Sequence, residues 1–146
     1  MAAVLPQQLI IFELDKEAFA LDVTVVQEIL PEISARPIPQ SALHIEGVFD
    51  FRGKIIPLIN LREVLKLPLD KGVNNVIVIN YEGRLFGLIV DRVLEVFTGQ
   101  TELRELPPAG LRVPARLVQS VVLYKEMVVV VLHLKQLASA VIDKED

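Results

Sequence analysis

The sequence of 146 residues contains no cysteine and no tryptophan, and aromatic residues make up only 5% of it. Without cysteine the chain cannot form a disulfide, a zinc–thiolate site or a thiol nucleophile, which fits a reducing compartment. Its longest apolar run, Met127 to Leu132, is far too short to span a bilayer, and its opening residues lack the basic start and cleavage site of a signal peptide. We therefore expect a cytoplasmic protein that is neither exported nor embedded in a membrane.

Motifs and side-chain clusters that carry enzyme chemistry are also missing. The sequence has no GxxxxGKS/T, GxGxxG, GxSxG or HExxH motif, and neither His44 nor His133 lies beside a carboxylate at metal-ligand spacing. We interpret the remaining candidate acids as solvated charges on amphipathic segments; they are Asp22, Glu28, Asp91 and Glu95. We therefore expect no enzymatic activity, no metal site and no cofactor.

The charge distribution argues against a nucleic-acid partner. The chain has 15 basic and 19 acidic residues, a net charge of −4, and these charges are scattered without a basic stripe. A nucleic-acid partner needs a phosphate-neutralising surface, which this pattern does not supply. Recognition of another protein is the leading mode of action, because abundant branched aliphatic residues can build an apolar groove or an exposed sheet edge.

An internal repeat is the most informative feature that the sequence does contain. Residues 9–30 align without a gap with residues 76–97 across an offset of 67, with six identical positions, and residues 44–65 echo residues 117–138 more faintly. Hydrophobic residues make up 52% of the chain, with valine and isoleucine prominent, which favours strands. A single domain spanning residues 1–146, built from two similar β modules over a shared core, is predicted.

Local patterns place hairpins and short helices along this repeat. Charged or glycine-containing turns predict hairpins at residues 15–17, 52–53, 82–83 and 124–126. Val23, Val26, Ile29 and Leu30 have helix-like spacing after Asp22, a plausible N-cap, although the same segment is short enough to be extended. Short helices are expected at residues 61–67 and 135–142, a strand or loop at a sheet edge over the proline-containing residues 31–39, and an ordered loop or linker at residues 105–116.

Three segments together resemble the CheW family of chemotaxis coupling proteins. They are VQEIL at Val26–Leu30, IEGVFDFRGKIIPLINLREVL at Ile45–Leu65, and FGLIVDRV at Phe86–Val93, and the likeness extends from about Leu9 to Ala138. The resemblance implies a mainly β fold of two SH3-like five-stranded barrels that share a hydrophobic core, with short helices. The sequence halves are approximately 9–66 and 75–140, and the resemblance allows strands to be exchanged between the barrels, so that the halves need not correspond to them.

The same resemblance implies a non-enzymatic scaffold adaptor. Members of the family couple the cytoplasmic tips of chemoreceptors (methyl-accepting chemotaxis proteins), which are helical hairpins, to the regulatory domain of the histidine kinase CheA. A membrane is reached only indirectly, through the receptors. The receptor-contact positions that carry over to this sequence are Val26, Glu28, Gly47, Arg52, Val76, Ile77 and Gly87.

Physical chemistry assigns roles to these positions and leaves alternatives open. Val26, Val76 and Ile77 either line an apolar groove for the receptor or belong to the core. Gly47 and Gly87 are better explained by backbone requirements than by contacts. Glu28 and Arg52 are candidates for an ion pair that orients Arg52 toward the partner, although each is also explained as a solvated surface charge.

Two departures from the family pattern stand out. Asn60 occupies a position where the family commonly has Asp, and the turn at residues 124–126 lacks glycine, which makes the partner contacts of the second half less certain to carry over than those of the first.

Three interpretations of the function compete. Besides the chemotaxis adaptor, the alternatives are a CheW-like paralogue of another chemosensory pathway, such as surface motility or gene regulation, and a small-ligand-binding β-barrel.

Overall fold

Alternating apolar residues and tight turns produce a structure built almost entirely of strands. The computed structural model describes residues 4–39, 44–68, 72, 74–104 and 113–142. In this part of the chain the strands are β1 (Val4–Leu14), β2 (Glu17–Asp22), β3 (Val26–Leu30), β4 (Ile45–Phe51), β5 (Lys54–Asn60), β6 (Asn75–Tyr81), β7 (Arg84–Val90), β8 (Arg92–Arg104), β9 (Val118–Tyr124) and β10 (Met127–Leu132). The helices are α1 (Leu61–Leu65) and α2 (Leu134–Ile142).

The strands form two five-stranded units with the same internal arrangement. The first unit is a closed barrel in the order β1-β2-β10-β9-β8, and the second is a sheet in the order β3-β6-β7-β5-β4. In each unit a central hairpin pairs antiparallel with one strand, β8 or β3, and parallel with another, β10 or β5. The predicted fold class, mainly β with two five-stranded subdomains, is confirmed.

The units do not follow the two halves of the sequence. The hairpin β1–β2 completes the unit that contains β8 to β10, whereas the hairpin β6–β7 completes the unit that contains β3 to β5. The chain therefore passes from the first unit to the second through residues 23–25, and returns through Asp91, the residue between β7 and β8. Neither half of the sequence holds all the strands of one unit.

The seam of each unit closes differently. In the first unit β8 continues far enough to pair with β9, with Glu102 opposite Leu123 and Arg104 opposite Val121. In the second unit the equivalent strand β3 ends at Leu30, before Pro31, because proline has no N–H to donate to a ladder. Among the described residues its seam with β4 carries an isolated bridge between Arg36 and Val48.

Four two-residue turns join the hairpins and set their register. All have positive φ at both turn positions, at Asp15-Lys16 (52° and 68°), Arg52-Gly53 (51° and 86°), Glu82-Gly83 (51° and 87°) and Lys125-Glu126 (49° and 64°). This is the backbone of the mirror-image turn that matches the twist of antiparallel strands. The hairpins predicted at these positions are confirmed.

One hydrophobic core joins the units, and a smaller core lies inside each. The shared core takes residues from both units, including Ile10, Phe12 and Phe19 from the first and Ile59, Ile77 and Phe86 from the second. A second cluster comes from strands of the first unit, including Leu9, Ile11, Val122, Val129 and Val131. A third comes from the second unit, including Phe49, Phe51, Leu58, Val76 and Val78. Alternate residues of each central strand therefore face different cores.

The helical interpretation of the segment after Asp22 is mostly wrong. Val23–Val25 form one 3₁₀ turn, capped by Asp22, whose carboxylate accepts a hydrogen bond of 2.9 Å from the Thr24 N–H. Val26–Leu30 is the strand β3, because pairing with β6 decides between two readings that the spacing leaves open. Most of the predicted loop at 105–116 lies outside the described residues; residues 115–117 form another 3₁₀ turn.

Gly47 is required by the backbone, as its sequence interpretation anticipated. Its φ is 152°, and a Cβ there would overlap the carbonyl oxygen of Arg36. The Arg36 carbonyl must lie this close because it accepts a 3.0 Å hydrogen bond from the Val48 N–H at the seam. Gly47 therefore permits the bridge that holds the second unit together at β4.

We predict that Gly47→Ala destabilises the fold more than Gly53→Ala does. Both glycines have positive φ, which costs an L residue about 1–2 kcal/mol, but only the Gly47 substitution adds overpacking of about 1–3 kcal/mol, since nothing lies within 4 Å of a Cβ at Gly53. Urea denaturation of the two variants measures the difference. Equal losses of unfolding free energy would show that the Arg36 segment moves away without cost.

Candidate functional site

A charged turn at the seam of the second unit carries the most distinctive exposed side chain. Arg52 lies in the β4–β5 turn, and its Nη2 donates a hydrogen bond to Oε1 of Glu28 in β3. Its guanidinium carbon also lies 5.2 Å from the centre of the Phe51 ring. The predicted ion pair is confirmed, and we call Glu28, Phe51 and Arg52, with the exposed Ile29 and Ile55 of the adjoining strands, the Arg52 patch.

The ion pair controls geometry more than stability. The Arg52 side chain is 70% exposed and that of Glu28 33%, so solvent screens the attraction and the pair is worth about 0–1 kcal/mol. Its partners come from opposite edge strands of the second unit, and they therefore connect the seam with side chains. Asp50 also fixes the turn by accepting a 3.0 Å hydrogen bond from the Gly53 N–H. Arg52 is thus held by the Glu28 carboxylate, the Phe51 ring and the turn that Asp50 fixes, while its side chain remains exposed.

Apolar side chains are exposed beside these charges. Ile29 follows Glu28 in β3 and is 41% exposed, and Ile55 lies opposite Asp50 in the β4–β5 hairpin and is 65% exposed. Val26, at the start of β3, is half-buried against the shared core. The strands around the ion pair therefore expose apolar residues as well, although Ile29 lies on the face of β3 opposite to Glu28.

The other predicted contact residues lie beneath this surface. Val76 is 1% exposed and belongs to the core of the second unit, whereas Ile77 is fully buried in the shared core. Gly87 is buried too, and a Cβ there would lie 3.0 Å from both Phe49 and Val76. The structure therefore favours the alternative that Val76 and Ile77 are core residues, not the walls of an open groove, and Gly87 leaves room for Phe49 to pack.

The internal repeat places a second patch of the same kind on the first unit. Offsets of 67 and 73 residues carry Glu28 to Glu95, Phe51 to Tyr124 and Arg52 to Lys125. The Lys125 Nζ lies 3.5 Å from Oε1 of Glu95 and 5.2 Å from the centre of the Tyr124 ring. Ile29 and Ile55 correspond to Val96 and Val128, which are 52% and 58% exposed. We call these five residues the Lys125 patch.

Chemistry distinguishes the two patches despite their common geometry. The hydroxyl of Tyr124 donates a hydrogen bond to Glu95, and this bond is the main cause of the lowered pKa of Glu95; desolvation opposes it, and the charge of Lys125 lowers the pKa a little further. The same hydrogen bond raises the pKa of Tyr124. In the Arg52 patch Phe51 has no hydroxyl, and arginine offers a planar set of five donors where lysine offers a compact charge. Arg52 is therefore the better suited to directional recognition.

Sequence reasoning missed the buried charges. Arg62 is 6% exposed, and its Nε and Nη2 donate to the two carboxylate oxygens of Asp91 at 3.0 and 2.6 Å. The interpretation of Asp91 as a solvated charge was wrong.

Asn60 also has a role in the structure. Its side-chain oxygen caps α1 by accepting a hydrogen bond from the Arg62 N–H, 3.0 Å away, and its amide donates a hydrogen bond to Glu46 at 2.9 Å, which an aspartate there could not do. The position of this polar residue directly before a predicted helix was the one signal in the sequence for its capping role.

Comparisons with known proteins agree with this architecture. The family model described as "CheW-like domain" matches residues 8–141. "Chemotaxis protein CheW" of Treponema pallidum is 31% identical over 140 residues, 91% of this chain and 82% of that protein. Its counterpart in Klebsiella aerogenes is 28% identical over 92% of this chain and 82% of that protein. A crystal structure of the scaffolding protein TtCheW from Thermoanaerobacter tengcongensis superposes with a TM-score of 0.77 and 27% identity, covering 88% and 90% of the two chains.

Two searches of the described residues gave negative findings. Neither α1 nor α2, the helices of the described ranges, is long and apolar enough to cross a membrane. Within the same ranges, no group of three or more histidine, aspartate or glutamate residues is placed to hold a metal ion.

We predict that Tyr124→Phe raises the pKa of Glu95 toward its ordinary value, because the hydroxyl is the main group that lowers it. A carboxylate whose pKa is depressed in the folded state stabilises the fold above its unfolded pKa, and this contribution is lost as the pH falls through the folded pKa. The variant should therefore lose less stability on acidification. NMR titration of the Glu95 carboxyl carbon measures the shift, with Lys125→Met as the control for the charge. An unchanged titration in Tyr124→Phe would contradict the assignment.

Proposed function

The chain belongs to the CheW-like domain family, and from this premise we propose that it couples the cytoplasmic tips of chemoreceptors to the histidine kinase CheA in chemotaxis signalling. As a member of this family it is a scaffold adaptor and not an enzyme. On this proposal it acts in the cytoplasm and reaches the membrane only through the receptors. The observation that carries the proposal is the Arg52 patch, in which an exposed guanidinium is held in place by Glu28 and the Phe51 ring, on strands that also expose apolar residues.

The receptor tip is the partner that we assign to the Arg52 patch. Such a tip is a helical hairpin, so it has helix ends whose last backbone carbonyls lack partners within the helix. The Arg52 guanidinium has five donors and gives a hydrogen bond to Glu28, so it retains donors for those carbonyls or for a carboxylate. The negative end of the helix dipole favours a cation at the same place. Arg52 would therefore set the orientation of the hairpin.

Apolar contacts would supply most of the affinity. Ile29 and the half-buried Val26 on β3 can pack against an apolar stripe of the hairpin, at about 25 cal/mol per Å² buried before the costs of binding. Gly47, Val76 and Gly87 contribute from beneath, because they fix the seam and the packing under Phe49 and Phe51, and Ile77 contributes by anchoring β6 in the shared core. Substitutions at these four positions would weaken receptor binding through the shape of the patch.

A coupling protein must hold both partners at once, so the proposed role requires a second surface, separate from the Arg52 patch, for the regulatory domain of CheA. A paralogue in another chemosensory pathway, such as surface motility or gene regulation, would use the same patch with different receptors. A small-ligand-binding barrel is not favoured, because the core of the first unit is packed with Leu9, Ile11, Val122, Val129 and Val131.

We predict that Arg52→Glu weakens binding of receptor tip fragments at least about 100-fold, since charge reversal opposes an interface that depends on a desolvated cation. The fold should persist, because Glu82 already has a φ of 51° at the equivalent position of the β6–β7 turn. Pull-down and isothermal titration with receptor fragments measure the loss. Lys125→Glu is the matched control, as it reverses the corresponding cation of the other unit.

Two results would decide against this assignment. A folded Arg52→Glu variant that still captures receptor fragments would remove Arg52 from the interface. An equal loss of binding in Lys125→Glu would mean that net charge, and not the Arg52 patch, controls the interaction.

A second prediction concerns the energetic coupling between Glu28 and Arg52. In a double-mutant cycle with Glu28→Gln and Arg52→Gln, the coupling in receptor-binding free energy should be about 0.5–3 kcal/mol, because Glu28 orients the guanidinium for the partner. The coupling in unfolding free energy should stay within about 0–1 kcal/mol, as expected for an exposed pair. Additive effects on binding would show that Arg52 is oriented without Glu28.

A further inference from the structure

The chain crosses between its two units at two places that the repeat makes equivalent. The first crossing is Val23–Val25, between β2 and β3, and the second is Asp91, between β7 and β8. The offset of 67 that aligns the two hairpins places Thr24 of the first crossing at the position of Asp91 in the second. Any difference between the crossings is therefore a difference in how the two units are held together.

The second crossing is tied to both units by a buried ionic cluster. Arg62, on α1 in the second unit, donates to both carboxylate oxygens of Asp91. Oδ2 of Asp91 also accepts a 2.8 Å hydrogen bond from the Asp15 N–H in the β1–β2 turn of the first unit. The Asp91 N–H donates in turn to the carbonyl of Glu13 in β1, at 3.0 Å. One carboxylate thus links an arginine of one unit to a turn of the other.

Further contacts hold the arginine in place. Its Nη1 donates to the carbonyl of Pro68 and lies 3.7 Å from Oδ1 of Asp15. The side chain of Arg62 is only 7% exposed, whereas those of Asp91 and Asp15 are 23% and 28% exposed. If the units rotated about this crossing, a buried guanidinium would lose its partners far from water, which is strongly unfavourable.

The first crossing has a different construction. Asp22 accepts hydrogen bonds from the N–H and the Oγ1 of Thr24, at 2.9 and 2.7 Å, and both bonds are exposed and local to the turn. The residue that corresponds to Arg62 by the offset of 73 is Lys135, which is exposed on α2. The first crossing is therefore stabilised by an exposed cap at Asp22, whereas the second is stabilised by the buried ionic cluster at Asp91.

We propose that Arg62, Asp91 and Asp15 form a clasp that fixes the angle between the two units, so that any relative motion of the units pivots at Asp91 and is taken up at Val23–Val25. Arg62 acts as a positioning residue and needs no contact with a partner. One consequence rests on the proposed function: β3, which carries Glu28, begins directly after Val23–Val25, so a receptor bound at the Arg52 patch acts next to the crossing whose cap is exposed and local to its own turn.

The absence of native cysteine allows the angle to be measured directly. Thr98→Cys on β8 and Lys54→Cys on β5 place one spin label on each unit at exposed positions, and pulsed electron spin resonance gives the distribution of distances between them. In this background Asp91→Asn should broaden the distribution, because an amide cannot pair with Arg62 as an ion. Asp22→Asn, at the equivalent crossing, is the matched control and should leave the width unchanged.

Hydrogen exchange separates a loosened clasp from general destabilisation. In Asp91→Asn the backbone amides of Asp15 and of residue 91 should exchange at least about tenfold faster, whereas the exchange rates of the core amides of Ile11 and Val78 should change much less. Arg62→Lys keeps the charge without the bidentate geometry and serves if Asp91→Asn does not fold; it should broaden the distribution in the same way.

An unchanged distance distribution in both clasp variants would overturn the proposal, as would equal broadening in Asp22→Asn. The experiment contains no receptor or kinase, so its outcome is independent of whether the proposed coupling function holds.

Discussion

The shared hydrophobic core is the constraint from which the rest of the structure follows. Because the hairpins β1–β2 and β6–β7 each complete the unit formed by strands of the other half, both units bury apolar residues against the same centre. Phe12 and Phe19 belong to the same buried cluster as Phe86 and Ile77, so each unit buries part of its apolar surface against the other. The Arg52 turn is held in place because the strands on both sides of it are anchored in these cores.

Because the chain consists of two similar halves whose hairpins are exchanged between the units, each turn, seam and crossing occurs twice. The differences between the two copies indicate the role of each. The seam of the first unit closes with a strand pair, whereas Pro31 ends the equivalent strand of the second unit and leaves a bridge and the Glu28–Arg52 ion pair. A buried arginine pairs with an aspartate at one crossing, whereas an exposed aspartate caps the other. The second unit is consequently the one with an open seam, and the proposed receptor site lies there.

Sequence predicted the features that depend on local chemistry and on the repeat. The two-residue turns and the two similar β modules over a shared core belong to this group, whereas the barrel class and the choice of Glu28 and Arg52 came from the resemblance to the family. Features that depend on the second face of a strand were not accessible: Val76 and Ile77 are adjacent in β6, and each faces a different core, so no alternation marks them as buried. The Arg62–Asp91 pair was missed because its partners are 29 residues apart and look like ordinary surface charges in sequence.

Native-state hydrogen exchange tests the shared core most directly. If the two units depend on one centre, the amides of Ile10 in β1 and Ile77 in β6 should open with the same free energy and the same denaturant dependence, both equal to those of global unfolding. Two different opening free energies, one for each unit, would contradict the account and show that the units unfold independently.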